Sequence, residues 1–175
     1  NGSYGAGVVF DYPPDDLYFR NNLVSHNTFS GAGPCYGGGF AIWDGSPIIE
    51  NNLFEKNHAT YGGGGWIGDV FSFAEITNNT IAKNCAELQG GGIYTKNAAA
   101  TVMNSILWNN EAPDGPEVYL ESGTIDIIYS DVKGGWTGTG NLDVNPRLFG
   151  PLLFLGFRSP CIDAGNPDTT GLGLP

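Results

Sequence analysis

Basic residues are scarce in this chain: seven Lys and Arg stand against eighteen Asp and Glu, a formal net charge of −11. A surface of that sign repels phosphate backbones and anionic lipid, so nucleic acid is excluded as a natural partner. The acidity suits an exported protein in salty or calcium-bearing surroundings, and it equally serves plain solubility, so charge alone names no ligand. Histidine and cysteine are almost as sparse. Cys35, Cys85 and Cys161 show no CxxC spacing, and with only His26 and His58 beside them a zinc site has no support. An odd count allows at most one internal disulfide, and the expected state is buried free thiols. The longest uncharged apolar stretch, Leu148 to Phe157, is ten residues, too short for a membrane span, so no membrane insertion is expected.

Long helices are also unexpected, because 28 Gly and 11 Pro interrupt a sequence of 175 residues. Disorder is opposed by an apolar content of 41%, rich in Ile, Val, Phe, Tyr and Trp. One all-β or repeat domain fits both facts.

The repeat is visible directly. Four segments carry an Asn pair six residues apart: Asn21 with Asn27, Asn51 with Asn57, Asn78 with Asn84, and Asn104 with Asn110. Both members advance together by 30, 27 and 26 residues. A glycine triplet and an apolar residue follow each of the first three, as Gly37-Gly38-Gly39-Phe40, Gly63-Gly64-Gly65-Trp66 and Gly90-Gly91-Gly92-Ile93. An apolar residue precedes the first Asn by two places: Phe19, Ile49, Ile76 and Val102. Such a period marks a solenoid, in which each repeat buries its apolar face only against its neighbours.

Between markers the pieces are three to five residues long and alternate with period two, so they read as short strands joined by sharp bends. The spacing predicts an all-β, right-handed parallel β-helix of about five coils, each of three strands and three turns, with a C-terminal cap. Stacking places Val24, Phe54, Ile81 and Leu107 in one core column, and Phe40, Trp66 and Ile93 in another. The eight asparagines Asn21, Asn51, Asn78, Asn104, Asn27, Asn57, Asn84 and Asn110 are expected to form structural ladders, each amide donating to one neighbour and accepting from the other.

Tyr4 to Val8 matches Tyr36 to Phe40, so the sequence opens in mid-coil and a longer parent solenoid is expected. Residues 1–133 read as coils, the last degenerate with Ser130 in place of Asn. Residues 134–175 read as a degenerate last coil and C-terminal cap or tail, with Leu148, Leu152, Leu153, Phe154, Leu155 and Phe157 available to lie over the last rung.

No catalytic residues are legible. Lys56 and Lys83 share a column with His26 and Asn109, which reads as a solvated stripe rather than a base site. His58 aligns with Thr28 and Cys85 without forming a nucleophile and base pair. Acids on neighbouring rungs meet glycosidase spacing trivially, so proximity carries no information. The turn after the glycine triplets is the one candidate ligand site. Asp11, Asp44, Asp69 and Glu121 fall in or near equivalent positions there, with Trp43, Trp66 and Lys96 close by. Carboxylates at Asp44 and Asp69 suit calcium, and Trp faces suit sugar rings, while an ordinary polar turn is the plainer alternative. No other cofactor is implied.

The repeated Asn and Gly markers, together with Asn145-Pro146-Arg147-Leu148-Phe149 and Ser159-Pro160-Cys161-Ile162-Asp163-Ala164-Gly165, resemble secreted bacterial right-handed parallel β-helix repeat proteins with a pectate-lyase-like fold. The resemblance covers nearly the whole chain. It implies a secreted or cell-surface location and helix closure by the C-terminal motifs. The family includes adhesins and surface proteins as well as polysaccharide lyases and hydrolases. The regularity of the repeat and the lack of a non-repeating polar cluster favour a structural or adhesive module, to which open solenoid ends offer a route to end-to-end association; the alternative is a carbohydrate-binding or carbohydrate-active protein of lyase or hydrolase type that uses calcium. Fold alone does not choose between them.

Overall fold

A computed structural model describes residues 3–5, 7–14, 17–29 and 31–168. Among these residues there is no helix, and so none long and apolar enough to cross a membrane. The chain winds as a solenoid of parallel strands in four ladders. The first stacks Ser3–Tyr4, Cys35–Tyr36, His58–Tyr61 and Cys85–Gln89. The second stacks Val8–Asp11, Phe40–Gly45, the start of Gly65–Thr77, Ile93–Lys96 and Val118–Leu120. The third stacks Tyr18–Arg20, Ile48–Glu50, the end of Gly65–Thr77, Ala98–Met103 and Gly123–Ile128. The fourth stacks Leu23–Ser25, Leu53–Glu55, Thr80–Ala82, Ile106–Trp108 and Asp131–Val132.

Five rungs on the fourth ladder make four turns from first to last. Each full coil carries four strand segments rather than the three expected. The second and third ladders use separate strands in the neighbouring coils, Phe40–Gly45 with Ile48–Glu50 and Ile93–Lys96 with Ala98–Met103, and in the coil between them they run through a single 13-residue strand, Gly65–Thr77, with an irregularity between Gly68 and Ser72. Sequence alternation does not register a bend that lies inside a strand.

Inward columns fill the core. Val24, Phe54, Ile81, Leu107 and Val132 stack in register on the fourth ladder, all buried. Ile49, Ile76, Val102 and Ile127 do the same on the third. Each such side chain contributes about 1.5–3 kcal/mol on burial.

The second ladder corrects the expected register. Phe40 pairs with Gly65, and Gly65 with Ile93, so Trp66 belongs one position later, beside Ala41 and Tyr94. The run at this coil is four glycines, Gly62 to Gly65, and Gly62 shares its positive φ with Gly37 and Gly90. Gly65 takes the inward position with no side chain, and the Phe40 ring fills the vacancy: a Cβ on Gly65 would stand 2.1 Å from that ring. Trp66 therefore points outward.

Two hydrogen-bonded stacks flank the fourth ladder. In one, Asn27, Asn57, Asn84 and Asn110 follow one another. Each side-chain oxygen from Asn57 onward accepts from both the backbone N–H and the Nδ2 of the preceding Asn, at 2.9–3.1 Å. The second Nδ2 hydrogen goes to a backbone carbonyl, as from Asn57 to Val24 at 2.9 Å and from Asn84 to Phe54 at 3.0 Å. The other stack is offset by one residue from the expected one. It runs Asn22, Asn52, Asn79, Ser105, Ser130 and Asn141, linked at 2.9–3.1 Å. Asn21, Asn51, Asn78 and Asn104 instead take left-handed backbone at the bend, with φ of 51–59°. Asn tolerates that conformation better than most residues, which is why a second Asn recurs beside the stacked one. His26, Lys56, Lys83 and Asn109 form the matching left-handed column before the other stack, and all four are exposed.

The Asn27 stack ends on a carboxylate. Gly39, Gly64, Gly92 and Glu117 are successive residues of one column, and at the three glycines a Cβ would stand 3.1 Å from an Asn Nδ2. At the last rung Glu117 replaces the glycine, and its carboxylate accepts from the N–H and Nδ2 of Asn110. Burial of this carboxyl raises its pKa from 4.5 to about 7, against the opposing effect of the Asn110 bonds.

Beyond Val132, Trp136 packs against the core cluster. The apolar residues expected over the last rung form a small antiparallel pair, Leu148–Phe149 with Phe154–Leu155, and only Leu153 among them is buried, while Phe149, Leu152, Phe154 and Phe157 are exposed. The tail beyond them returns along the outside of the coils. Cys161 Sγ lies 3.1 Å from Asp131 Oδ2, and the Asn166 N–H donates to Asn104 Oδ1 at 2.8 Å. Burial, then the Asp131 carboxylate, pushes the Cys161 thiol up to about 12. All three cysteines are free thiols, but only Cys35 is buried as expected, Cys85 and Cys161 being half-buried.

This packing sets what single substitutions cost. Asn79→Ala removes an acceptor of two bonds and a donor of two, and is expected to cost about 3 kcal/mol in denaturant unfolding. Asn78→Gly, one residue away at a left-handed position, should stay within about 1 kcal/mol of the parent. Thr95 stands fully buried in the inward column of Phe10, Ile42 and Ile67, and its hydroxyl has no hydrogen-bond partner among the described residues. Thr95→Val keeps the shape and should stabilise by about 1 kcal/mol, a rise of roughly 2–4 °C in Tm. Since the folded pKa of Glu117 lies above its unfolded value, its contribution is fully present below pH 4.5 and is lost as pH rises through about 7. Glu117→Gln should therefore gain on the parent by about 3 kcal/mol between those limits, read from unfolding curves at each pH.

Candidate functional site

Outside the core, the corner between the first and second ladders is covered with aromatic rings. Position by position along the second ladder, Val9, Ala41, Trp66, Tyr94 and Tyr119 project outward. Tyr36 and Tyr61 pair on the first ladder and stack with centroids 5.3 Å apart and planes at 10°. Trp43 lies against Trp66 at 4.1 Å, and Tyr36 meets Trp66 edge-on at 5.5 Å. The ridge continues through Tyr61 and Tyr94 at 5.4 Å to Tyr94 and Tyr119 at 5.5 Å. Offset and edge-on contacts of this kind each add about 0.5–1.5 kcal/mol beyond area burial.

Two glycines make the geometry possible. Gly65 shifts Trp66 to the outside, and Gly68 leaves room for its far ring edge, since a Cβ there would stand 1.8 Å from Trp66. After Gly68 the chain turns through Asp69, whose φ is 82°, and Asp44 on the neighbouring coil turns the same way with φ 68°. Tyr12 and Asn97 are also left-handed, at 48° and 53°. These turns end the aromatic wall with polar groups.

A pocket of about 340 Å³ opens where wall and turns meet, lined by Tyr36, Trp43, Trp66, Asp69, Lys96 and Asn97, with Val70 at its edge. A second depression of about 150 Å³ lies alongside, lined by Asp11, Asp44, Tyr12 and Val9, and shares Trp43 and Asp69 with the first. The two are thus one groove passing the Trp43 edge. Trp66 is 3% exposed, and its Nε1–H meets no acceptor among the described residues. Trp43 is half-buried and supplies the accessible indole of the pair.

Glu121 stands outside the groove and organises it. Its Oε1 pairs with Lys96 Nζ at 2.8 Å, and its Oε2 accepts from the Tyr94 hydroxyl. The only positive group in the pocket lining is therefore already compensated. Asp69 accepts from the Val70 N–H at 2.6 Å, and none of Asp11, Asp44 and Asp69 is in an ion pair among the described residues.

Of the residues singled out in the sequence, Trp43, Trp66 and Asp69 meet in the larger pocket and Asp44 in the smaller, while Glu121 touches the site only through Lys96 and Tyr94. Asp44 and Asp69 both line the smaller depression, and among the described residues no group of three or more His, Cys, Asp or Glu is placed to hold an ion. Tyr36 and Asn97 escaped the sequence reading. A signal for Tyr36 was present in the recurring Tyr-Gly pair at Tyr36-Gly37 and Tyr61-Gly62. Lys56 and Lys83 sit on the exposed left-handed column away from the groove. His58 and Cys85 are neighbours in register, and burial followed by the Glu111 and Glu87 charges raises the Cys85 pKa, so its thiol is no activated nucleophile.

Comparison with known proteins agrees with this architecture. The searches of curated proteins and of solved structures returned no match. A family model described as right handed beta helix region matches residues 1–132. That match spans three quarters of the sequence and ends on the last residue of the fourth ladder, Val132. The chain belongs to the right-handed β-helix family.

Proposed function

We propose that this chain is an exported, adhesive β-helix module that holds a saccharide in the groove beside Trp43. The observation that carries the reading is the meeting of an aromatic wall with turn-borne polar groups in a single pocket of about 340 Å³. That volume falls within the range of about 300–1,000 Å³ of small-ligand sites, which are largely apolar with a few oriented polar groups. A sugar ring offers a C–H face for an indole and a rim of hydroxyls. Asp69 and Asn97 can accept from or donate to those hydroxyls.

Binding rather than turnover is the role these groups support. Lys96, the one ammonium in the pocket lining, is held by Glu121 and is not free to act as a base. The repeating fold supplies a stiff frame, and the groove on its flank supplies adhesion. Self-association through the solenoid ends gains less support, because Trp136 already packs on the core at the C-terminal end.

The test is a glycan array followed by calorimetry on the best ligand, with Trp43→Ala as the variant and its melting curve as a control of folding. A saccharide bound by the parent and weakened roughly tenfold or more in the variant is expected, equivalent to about 1.4 kcal/mol. No binding across the array, or undiminished binding by a folded Trp43→Ala, overturns the reading.

A further inference from the structure

We infer that the saccharide this groove selects carries a free, protonated amine, as in a deacetylated amino-sugar polymer, rather than a uronate or an uncharged sugar; the inference rests on the saccharide reading above and adds the charge of the ligand to it. Three observations point this way. The groove and its border hold four carboxylates, Asp11, Asp44, Asp69 and Glu121, against one ammonium, Lys96. The ammonium is spent on Glu121 at 2.8 Å, which leaves Asp11, Asp44 and Asp69 with no cationic partner among the described residues. Those three line the depression that Trp43 joins to the larger pocket, so the uncompensated charge lies beside the ring that would take the sugar.

Electron-rich faces reinforce the same preference. Trp43 and Tyr36 line the larger pocket together with Trp66, and an ammonium over the face of such a ring is attracted by the ring quadrupole. A carboxylate ligand is repelled by Asp11, Asp44 and Asp69, and the one ammonium beside it, Lys96, is already paired with Glu121. The net charge of −11 extends this field over the whole molecule and speeds the approach of a polycation. An acetylated amine fills the same space without the charge, so comparing the two separates charge recognition from shape.

The experiment titrates the intact chain with glucosamine oligomers, their N-acetylated counterparts, oligogalacturonate and choline, by calorimetry at low and at 300 mM salt. Expected is a preference of about tenfold or more for the free amine over the acetylated oligomer at low salt, with no measurable uronate binding. An Asp44→Asn, Asp69→Asn double variant, checked by its melting curve, should bring the two oligomers within about threefold of one another while Trp43→Ala weakens both. Equal affinity for the acetylated oligomer, or tighter binding of uronate, overturns the charge inference and leaves the saccharide reading standing. Choline held as tightly as the amino sugar overturns the saccharide part, and silence from every ligand overturns both.

Discussion

Everything in this molecule depends on a buried amide that has nowhere else to turn. At each sharp bend beside the fourth ladder the backbone would leave N–H and C=O groups inside protein without strand partners, at a cost of about 1–3 kcal/mol apiece. The Asn57 and Asn84 side chains remove that cost, each bonding the rung on either side through one oxygen and one NH₂ group. Such a bond is satisfied only when successive coils are in register, so the amides that solve the local problem also align the whole stack. The glycine triplets follow from the close stacking that this register imposes. Gly64 and Gly92 carry no side chain because a Cβ would stand 2.5 and 2.3 Å from the backbone carbonyl oxygens of Gly92 and Glu117 on the next rung, with the Nδ2 of Asn84 and of Asn110 at 3.1 Å beside it.

Once register is set, the inward columns need only be apolar and of suitable size, and the outward positions are free to vary. That freedom places the groove. The four-glycine run at Gly62 to Gly65 moves one aromatic residue from core to surface, Phe40 fills the vacant core position, and Trp66 joins Trp43 and the tyrosines outside. A single added glycine thus exchanges core volume for an external aromatic wall. The bends that follow require left-handed residues, and at Asp44, Asp69 and Asn97 these are polar. A binding surface arises where two repeat-driven features, outward aromatics and polar left-handed turns, meet at one edge.

The ends obey a different logic, because a stack must stop without leaving its last donors unpaired. Glu117 takes the place where another asparagine would accept, and its burial holds the carboxyl near pKa 7. Asn141 accepts from Ser130 and closes the other stack. Asp131 and Cys161 tie the tail to the last rung, with the carboxyl and the thiol both pushed up by burial. The segment around Cys161 and Asn166 thus lies against the flank of the last coils.

The sequence by itself determined the architecture. A marker that recurs every 26–30 residues leaves no other way to bury short strands than to stack them, and the columns of Val24, Phe54, Ile81 and Leu107 were legible because like residues in a solenoid lie one above another. It also pointed to Trp43, Asp44, Trp66 and Asp69, since rare residue types recurring near one turn are visible without coordinates. What only the tertiary structure decided was register to the single residue and the meeting of neighbouring faces. Asn52 and Asn51 are alike in composition, and only the stacked backbone shows which one points inward. Trp66 and Phe40 each follow glycines, and only the packing of the Phe40 ring over Gly65 shows which is core. Tyr36 and Asn97 lie 61 residues apart in sequence and share a pocket because successive turns bring different faces of the coil to one corner. Periodicity carries the repeat of a position, whereas the side to which a residue points depends on a one-residue phase that backbone hydrogen bonds and close packing set together.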